Sequence, residues 1–508
     1  MARGSVCSSF RPEVKKGRRI AEEERALLDA LAEDLKPKDL EGRIRALVFG
    51  AGQNVWSLDD EFDPDEPKSY ERSQERQAKQ AFKLGRDCHA EDGLLDQIAG
   101  ELFEPGYAPY KLDFGRGLIA GSSNARSMWD KLVDELKAKN VENFGFGVLI
   151  GALQEIAALD RSIAAQILDE CAKDEFLSPL IVGLHPIEGL NEADFDRCVS
   201  VLKQTGLPLM GIGGLLWRRQ YNVVSNEQKI QLSEIILAYK GGPSELLDAY
   251  SMKLHGEGQN VDVLGPEQRR LGLSAAAAVI STSDSDPSGS KDYEMQQVLR
   301  ACLSFDGNNQ EKNALIDGLF ERVANSYGYF SDCEGAIQVI AEFLPKTFLE
   351  RALLDTSIDE YKRFGIFRNS VREISPLAGI PPQQLVQWCK EGNDPKRWNL
   401  LARVISPFEK AGSNVVTLTE QAIALVENSP EPNLVVEGFL DDLSPSSWSG
   451  SRADIISERA AAMSALLAHE SVAIQEAATG FLAKAKEIED QERDWEAQRN
   501  NYDDPSFE

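Results

Sequence analysis

The sequence predicts an all-α fold, an α-solenoid built from irregular helix pairs. Three observations carry this reading. Apolar residues recur at i, i+3, i+4 and i+7 along most of the chain, the spacing of a helix with one buried stripe. Helix-starting and helix-stopping residues interrupt these stripes at short intervals. No strand–helix alternation is visible, and a helix with a single apolar stripe must stack on another to hide it.

The first 20 residues, with the basic run Lys15-Lys16-Gly17-Arg18-Arg19, are expected to form a disordered, solvated tail rather than a nucleic-acid-binding arm. Residues 21–110 are read as an N-terminal helical region. One helix carries Leu28, Leu31 and Leu35, the next Leu40, Ile44, Leu47 and Val48. Between 57 and 68 an acidic, proline-broken segment is read as a connecting loop. It is rejected as an EF-hand, because the required glycine and terminal glutamate are out of place. Residues 69–103 return to helix.

Residues 111–281 are read as a helical repeat array. Trp129, Leu132, Val133 and Leu136 form one stripe, the segment from Phe144 to Leu159 the next, and Asp160 caps a helix bearing Ile163, Ile167 and Leu168. Four helices are then expected between Asn191 and Gly256. Asn191 caps the first, whose stripe is Phe195, Cys198, Val199 and Leu202. The second is expected from Pro208, with Leu209, Ile212 and Leu216 inward, though Gly211, Gly213 and Gly214 each weaken it by roughly 1 kcal/mol relative to alanine. Ser225 and Gln228 have capping-box spacing for the third. Gly241-Gly242-Pro243 ends the third and opens the fourth, where Leu247, Tyr250 and Leu254 face inward.

A helix from about Pro266 to Ile280 follows, then a Ser-, Asp- and Pro-rich loop at 282–290. Residues 291–508 are read as a second array. It holds helices at 310–325, 333–343 and around Phe348–Leu354, shorter ones through 365–384, and others carrying Trp388 and Trp398–Val404. The pairs Leu418–Val426 with Asn433–Leu440, and Ser451–His469 with Val472–Arg499, complete it. The last helix fades into charged residues, as a terminal cap facing water does.

The chain is 508 residues long, 42% hydrophobic, and carries a formal charge of −28 from 83 acidic and 55 basic residues. Such a surface repels phosphate, so direct nucleic-acid binding is not expected. No apolar run approaches the roughly 20 residues of a membrane span, so no membrane contact is expected. Seven cysteines, an odd number without any Cys-x-x-Cys, read as small buried hydrophobes of a cytoplasmic protein.

Sites of chemistry are sparse. Cys88-His89-Ala90-Glu91-Asp92 gathers ligand types, but adjacent ligands rarely share one metal and no second cluster follows, so no metal is expected. Phe114-Gly115-Arg116-Gly117-Leu118-Ile119-Ala120-Gly121 is glycine-rich yet lacks the Gly-Lys-Ser/Thr ending and preceding strand of a phosphate loop. A tight helix crossing is expected there instead, with Arg116 bonded to carbonyls or an acidic neighbour. His89, His185, His255 and His469 are far apart in sequence, and only the fold can bring one beside a cysteine or serine. No catalytic, cofactor, metal or binding residue is assigned, and no cofactor is expected.

The helix-pair period wanders without a strict consensus, which fits the HEAT-like class better than tetratricopeptide or ankyrin repeats. The string from His469 to Ala478 resembles a HEAT turn entering its second helix, departing at Gln475 where arginine is favoured. Four further strings extend the likeness: Phe114-Gly115-Arg116-Gly117-Leu118, Leu254-His255-Gly256, Trp448-Ser449-Gly450-Ser451 and Asp504-Pro505-Ser506-Phe507-Glu508. With them residues 21–508 resemble the C-terminal helical half of large bacterial STAND-type NTPases associated with anti-phage defence. That resemblance implies a non-enzymatic recognition or scaffold subunit, binding a companion effector or ATPase, or a phage protein. The family's NTPase motif, Gly-x-x-x-x-Gly-Lys-Ser/Thr, does not occur here, so none of its NTPase residues transfers. The alternative is a hydrolase or nuclease with an unrecognised site inside the helical array.

Overall fold

A computed structural model describes residues 37–50, 67–106, 108–138, 144–185, 191–205, 211–217, 224–256, 258, 260–282, 290–325, 330, 332–368, 375–392, 394–411, 415–445 and 448–502. These residues form 24 α-helices, short 3-10 and π turns and one two-stranded hairpin. The fold is all-α, as the periodicity predicts. The chain divides into two compact units, residues 1–235 and 236–508. The expected N-terminal helix with Leu28, the tail at 1–20, most of the acidic loop at 57–68 and most of the 282–290 loop lie outside the described residues.

In the first unit, α1 (Leu40–Ile44) starts where the Asp39 carboxylate accepts the Gly42 N–H at 2.6 Å, and it runs on through a π turn, Arg45–Phe49. Then follow α2 (Ser69–Asp87), α3 (Leu94–Leu102), α4 (Lys111–Gly121), α5 (Ala125–Ala138) and α6 (Gly147–Leu159). Asp160 ends α6 and opens α7 (Arg161–Cys171), its carboxylate accepting from Ser162 N at 2.8 Å and Ile163 N at 3.3 Å. After the single turn α8 (Ile181–Leu184) comes α9 (Glu192–Thr205). Asn191 and Asp194 exchange side-chain and backbone bonds of 3.0 and 3.2 Å, closing its first turn reciprocally.

The helix expected from Pro208 is described only in part, since residues 206–210 and 218–223 lie outside the described residues. Gly211 has φ +74°, and of 211–217 the helical part is α10 (Gly214–Trp217). Three glycines in four positions leave too little propensity to carry that helix back through 211–213, although Ile212 and Leu216 are buried as expected. α11 (Asn226–Ala238) begins with the predicted capping box: Ser225 N donates to Gln228 Oε1 at 2.9 Å and Gln228 N to Ser225 Oγ at 3.2 Å. The helix expected from Phe144 starts later, at Gly147.

The second unit comprises α12 (Gly242–Gly256), α13 (Pro266–Ser281), α14 (Ser290–Leu303), α15 (Asn309–Asn325), α16 (Glu334–Phe343), and α17 (Pro345–Leu349) with its π extension to Leu354. Next are α18 (Glu360–Arg368), α19 (Pro382–Glu391) and α20 (Lys396–Ala402). A hairpin follows in which β1 (Phe408–Ala411) pairs antiparallel with β2 (Val415–Leu418), Phe408 opposite Leu418. This corrects the helix expected from Leu418. That residue ends a strand, Thr419 turns the chain, and α21 (Glu420–Asn428) begins with the Thr419 hydroxyl accepting Ala422 N at 3.3 Å. The β-branched pairs Val415-Val416 and Thr417 suit a pleated ribbon. The chain closes with α22 (Pro432–Gly438), α23 (Arg452–Met463) and α24 (Val472–Tyr502).

Helices two apart in sequence pack on each other within each unit. The first unit contains the succession α2, α4, α6; the second contains α12, α14, α16, then α13 with α15, α19 with α21, and α20, α22, α24. Buried polar groups tie helix ends between layers. The Asp292 carboxylate of α14 accepts from Gly335 N and Ala336 N, both at 3.0 Å, at the start of α16. Lys111 donates from Nζ to the carbonyls of Glu101 (3.1 Å) and Glu104 (2.9 Å) at the end of α3. Negative charge at a helix N-terminus and positive charge at a C-terminus each offset unmatched backbone groups.

Candidate functional site

Among the described residues a histidine, a cysteine, an arginine and two aspartates gather in the first unit, where α8 meets α9. His185, directly after α8, has a side chain with no exposed surface, and Cys198 of α9 is equally buried. The Cys198 Sγ is 3.7 Å from His185 Nδ1. Arg197, one residue before the cysteine, reaches His185 Nε2 at 3.1 Å, Asp194 Oδ1 at 2.7 Å and Asp169 Oδ1 at 2.8 Å. The helix spacing explains this cluster: residues 194, 197 and 198 lie three and four positions apart and share one side of α9.

The hydrogen bonds assign the imidazole tautomer. Nδ1 lies 2.6 Å from the Ile181 carbonyl, which can only accept, so Nδ1 carries the proton. Nε2 is then the acceptor for the Arg197 guanidinium. In this state neither ring nitrogen is free to take a proton from Cys198. Burial holds the His185 imidazole below its ordinary value, and burial pushes the Cys198 thiol up to about 12. A nucleophilic cysteine needs the opposite, an accessible thiol with lowered pKa beside a base. The arrangement has the composition of a Cys/His pair and the electrostatics of a buried polar lock that joins α8 to α9.

The glycine-rich segment forms the tight crossing expected of it. A Cβ on Gly117 would fall inside the van der Waals shell of the Phe82 carbonyl oxygen, and one on Gly115 inside that of Val148. Gly85 and Gly151 are equally close to the Phe114 and Leu112 carbonyls, so α2, α4 and α6 touch backbone to backbone. Arg116 finds acidic neighbours: its Nε donates to Glu155 at 3.2 Å, Asp113 lies 3.9 Å away, and its guanidinium sits over the Phe82 ring. Those contacts consume the one cation a bound phosphate would use.

Cys88 and His89 point apart in function. His89 donates from Nε2 to the Leu118 carbonyl at 2.9 Å, and Cys88 is buried with its thiol pushed up to about 11. No group of three or more metal-ligating side chains occurs among the described residues. His469 accepts the Ser471 N–H at Nδ1, 3.0 Å away, while its carbonyl accepts from Gln475 Nε2 at 2.6 Å. Gln475, the departure from the HEAT pattern, thus clamps the turn into α24. His255 sits in the last turn of α12. Among the described residues His185 is the histidine that comes within hydrogen-bonding reach of a cysteine, and sequence could not show it. The pairing joins two elements across a segment, 186–190, that carries no signal for it.

No protein-family model, curated protein or solved structure matches this chain. No helix among the described residues is long and apolar enough to cross a membrane.

Proposed function

We propose that this chain is a protein-recognition or scaffold module of a bacterial anti-phage defence system, kin to the helical half of STAND-type NTPases. The observation that carries the reading is the alternate-helix packing within each unit, α2–α4–α6 and α12–α14–α16. Stacked helix pairs present one helix of each pair along a continuous face, a surface suited to protein contact. The formal charge of −28 adds a long-range field that speeds encounter with basic partners at low salt. The partner is a companion effector or ATPase, or a phage-encoded trigger, meeting the chain in the cytoplasm over a contact of order 1,000 Å². Co-expression of the chain with the products of the adjacent genes tests this. A stable stoichiometric complex on gel filtration is expected, and uniform failure with every neighbour counts against the companion form of the proposal.

A second reading, a hydrolase with its nucleophile in the helical array, draws on one observation, the 3.7 Å approach of Cys198 to His185. It requires the His185 proton to leave Nδ1 and the pair to open to solvent. Labelling of native Cys198 by iodoacetamide at neutral pH would favour it, and protection of that thiol favours the recognition reading.

A further inference from the structure

Two tryptophans stand clear of the core beside the closing helical hairpin. Trp448 keeps 40% of its surface exposed and Trp495 49%, whereas Trp129, Trp388 and Trp398 are buried. One hydrogen-bond cluster holds the two indoles in the same neighbourhood. Glu496, the residue after Trp495, accepts from Ser451 Oγ at 2.9 Å and from Arg452 N at 2.7 Å, at the start of α23 and three residues beyond Trp448. The Arg452 guanidinium lies 4.7 Å from the Trp448 ring and donates to Glu492 at 3.1 Å. At about 100° per residue, Glu492, Glu496 and Arg499 share one side of α24 with Trp495 on its flank. The Arg499 guanidinium stacks 5.5 Å from the Trp495 ring.

The carboxylates beside the two indoles are engaged, while the exposed Asp494 lies about 140° around the helix from Arg499. Glu492 is taken by Arg452, and Glu489 by Arg493 at 2.8 Å. Backbone N–H groups, first that of Ala453, hold the Glu496 carboxyl below its ordinary value, so it too is satisfied. Arg499 has no ion pair among the described residues. What this corner offers is one open guanidinium and two exposed indoles, the residue types over-represented in the energetic centres of protein interfaces.

We propose that Trp448, Arg452, Trp495 and Arg499 form a docking surface for a short acidic segment of a protein partner, one that sets a carboxylate beside an aromatic or large apolar side chain. The guanidinium takes the carboxylate bidentately, and the indoles cover the apolar group. Single-stranded nucleic acid would also stack on indoles, but it carries a charge on every phosphate where this corner has one open guanidinium, and its binding is an outcome of the test. The inference rests on the protein-recognition reading and deepens it. The bulk of a partner answers the acidic field with basic charge, while its docking segment is locally acidic.

A random peptide display library selected on the full chain tests this, with a Trp495→Ala/Arg499→Glu double variant used for counter-selection. Both side chains are at the surface, so the variant is expected to keep the wild-type helical spectrum and melting profile. Enriched peptides should pair Asp or Glu with Phe, Trp or Leu and bind about tenfold or more weakly to Trp495→Ala. Arg499→Lys should weaken binding less than Arg499→Glu, because it keeps the charge and loses the planar stack. Enrichment of basic peptides, enrichment that survives the double variant, preferential binding of a single-stranded oligonucleotide, or no enrichment at all would each overturn the proposal. In the first two cases the chain still recognises protein, so the failure is of this surface alone.

Discussion

Gly85 of α2 and Gly117 of α4 face each other so closely that a Cβ on Gly85 would stand 3.0 Å from the Gly117 Cα. The same Cβ would press into the Phe114 carbonyl, and one on Gly117 into Phe82. Backbone on both sides leaves nothing flexible to yield. Gly117→Ala is therefore expected to destabilise the first unit by about 1–3 kcal/mol through overpacking. Gly100 in α3 has open space around it, so Gly100→Ala should be neutral or stabilise by up to about 1 kcal/mol. Urea unfolding midpoints of the two variants check the contrast. Equal effects would mean that the crossing is looser than described.

That crossing was legible in the sequence because glycine at 115, 117 and 121 has few uses inside a helical pattern. Local signals were equally readable at Asn191, Ser225 and Asp160, where a cap and its partner lie two or three residues apart. Relationships between distant residues were not. Asp292 reaching the start of α16, Glu496 the start of α23 and His185 meeting Cys198 depend on how helices are laid side by side. The hairpin at 408–418 was missed for a different reason: four-residue strands are too short for alternation to stand out from a helical stripe.

The six described thiols should be inert in the folded chain. Cys88, Cys171, Cys198, Cys302, Cys333 and Cys389 are all buried, and burial pushes the last five up to about 12 and Cys88 to about 11. Iodoacetamide at pH 7.5 followed by peptide mass spectrometry is expected to leave these six unmodified under native conditions and to modify them in denaturant. Rapid native modification of any one would mean an accessible thiol, ionised by an electropositive environment that this packing does not provide.

Two groups give stability opposite dependences on pH. Burial raises Asp442 to about 6, with Arg459 acting against it, so the folded state holds that proton more tightly than the unfolded chain does. Its contribution is present at low pH and lost as pH rises towards and through about 6. Asp442→Asn should then stabilise the protein near pH 7.5 by on the order of 2 kcal/mol or less, with the gain vanishing near pH 4. His185 acts the other way. Its folded pKa lies below the ordinary value of 6.5, so its contribution is full above that value and falls as the pH drops below it. Thermal melts of Asp442→Asn and the wild type between pH 4 and 8 check the first sign; a gain that grows towards low pH would reverse it.

The central claim is that this helical array works by holding another protein. Affinity recovery of the tagged chain from its native host, in resting and in phage-infected cells, tests it most directly, with co-recovered protein quantified against bait. The account predicts one near-stoichiometric partner in at least one state, an effector or ATPase at rest or a phage protein on infection, released as salt screens the acidic field. Recovery of the chain alone in both states would contradict it.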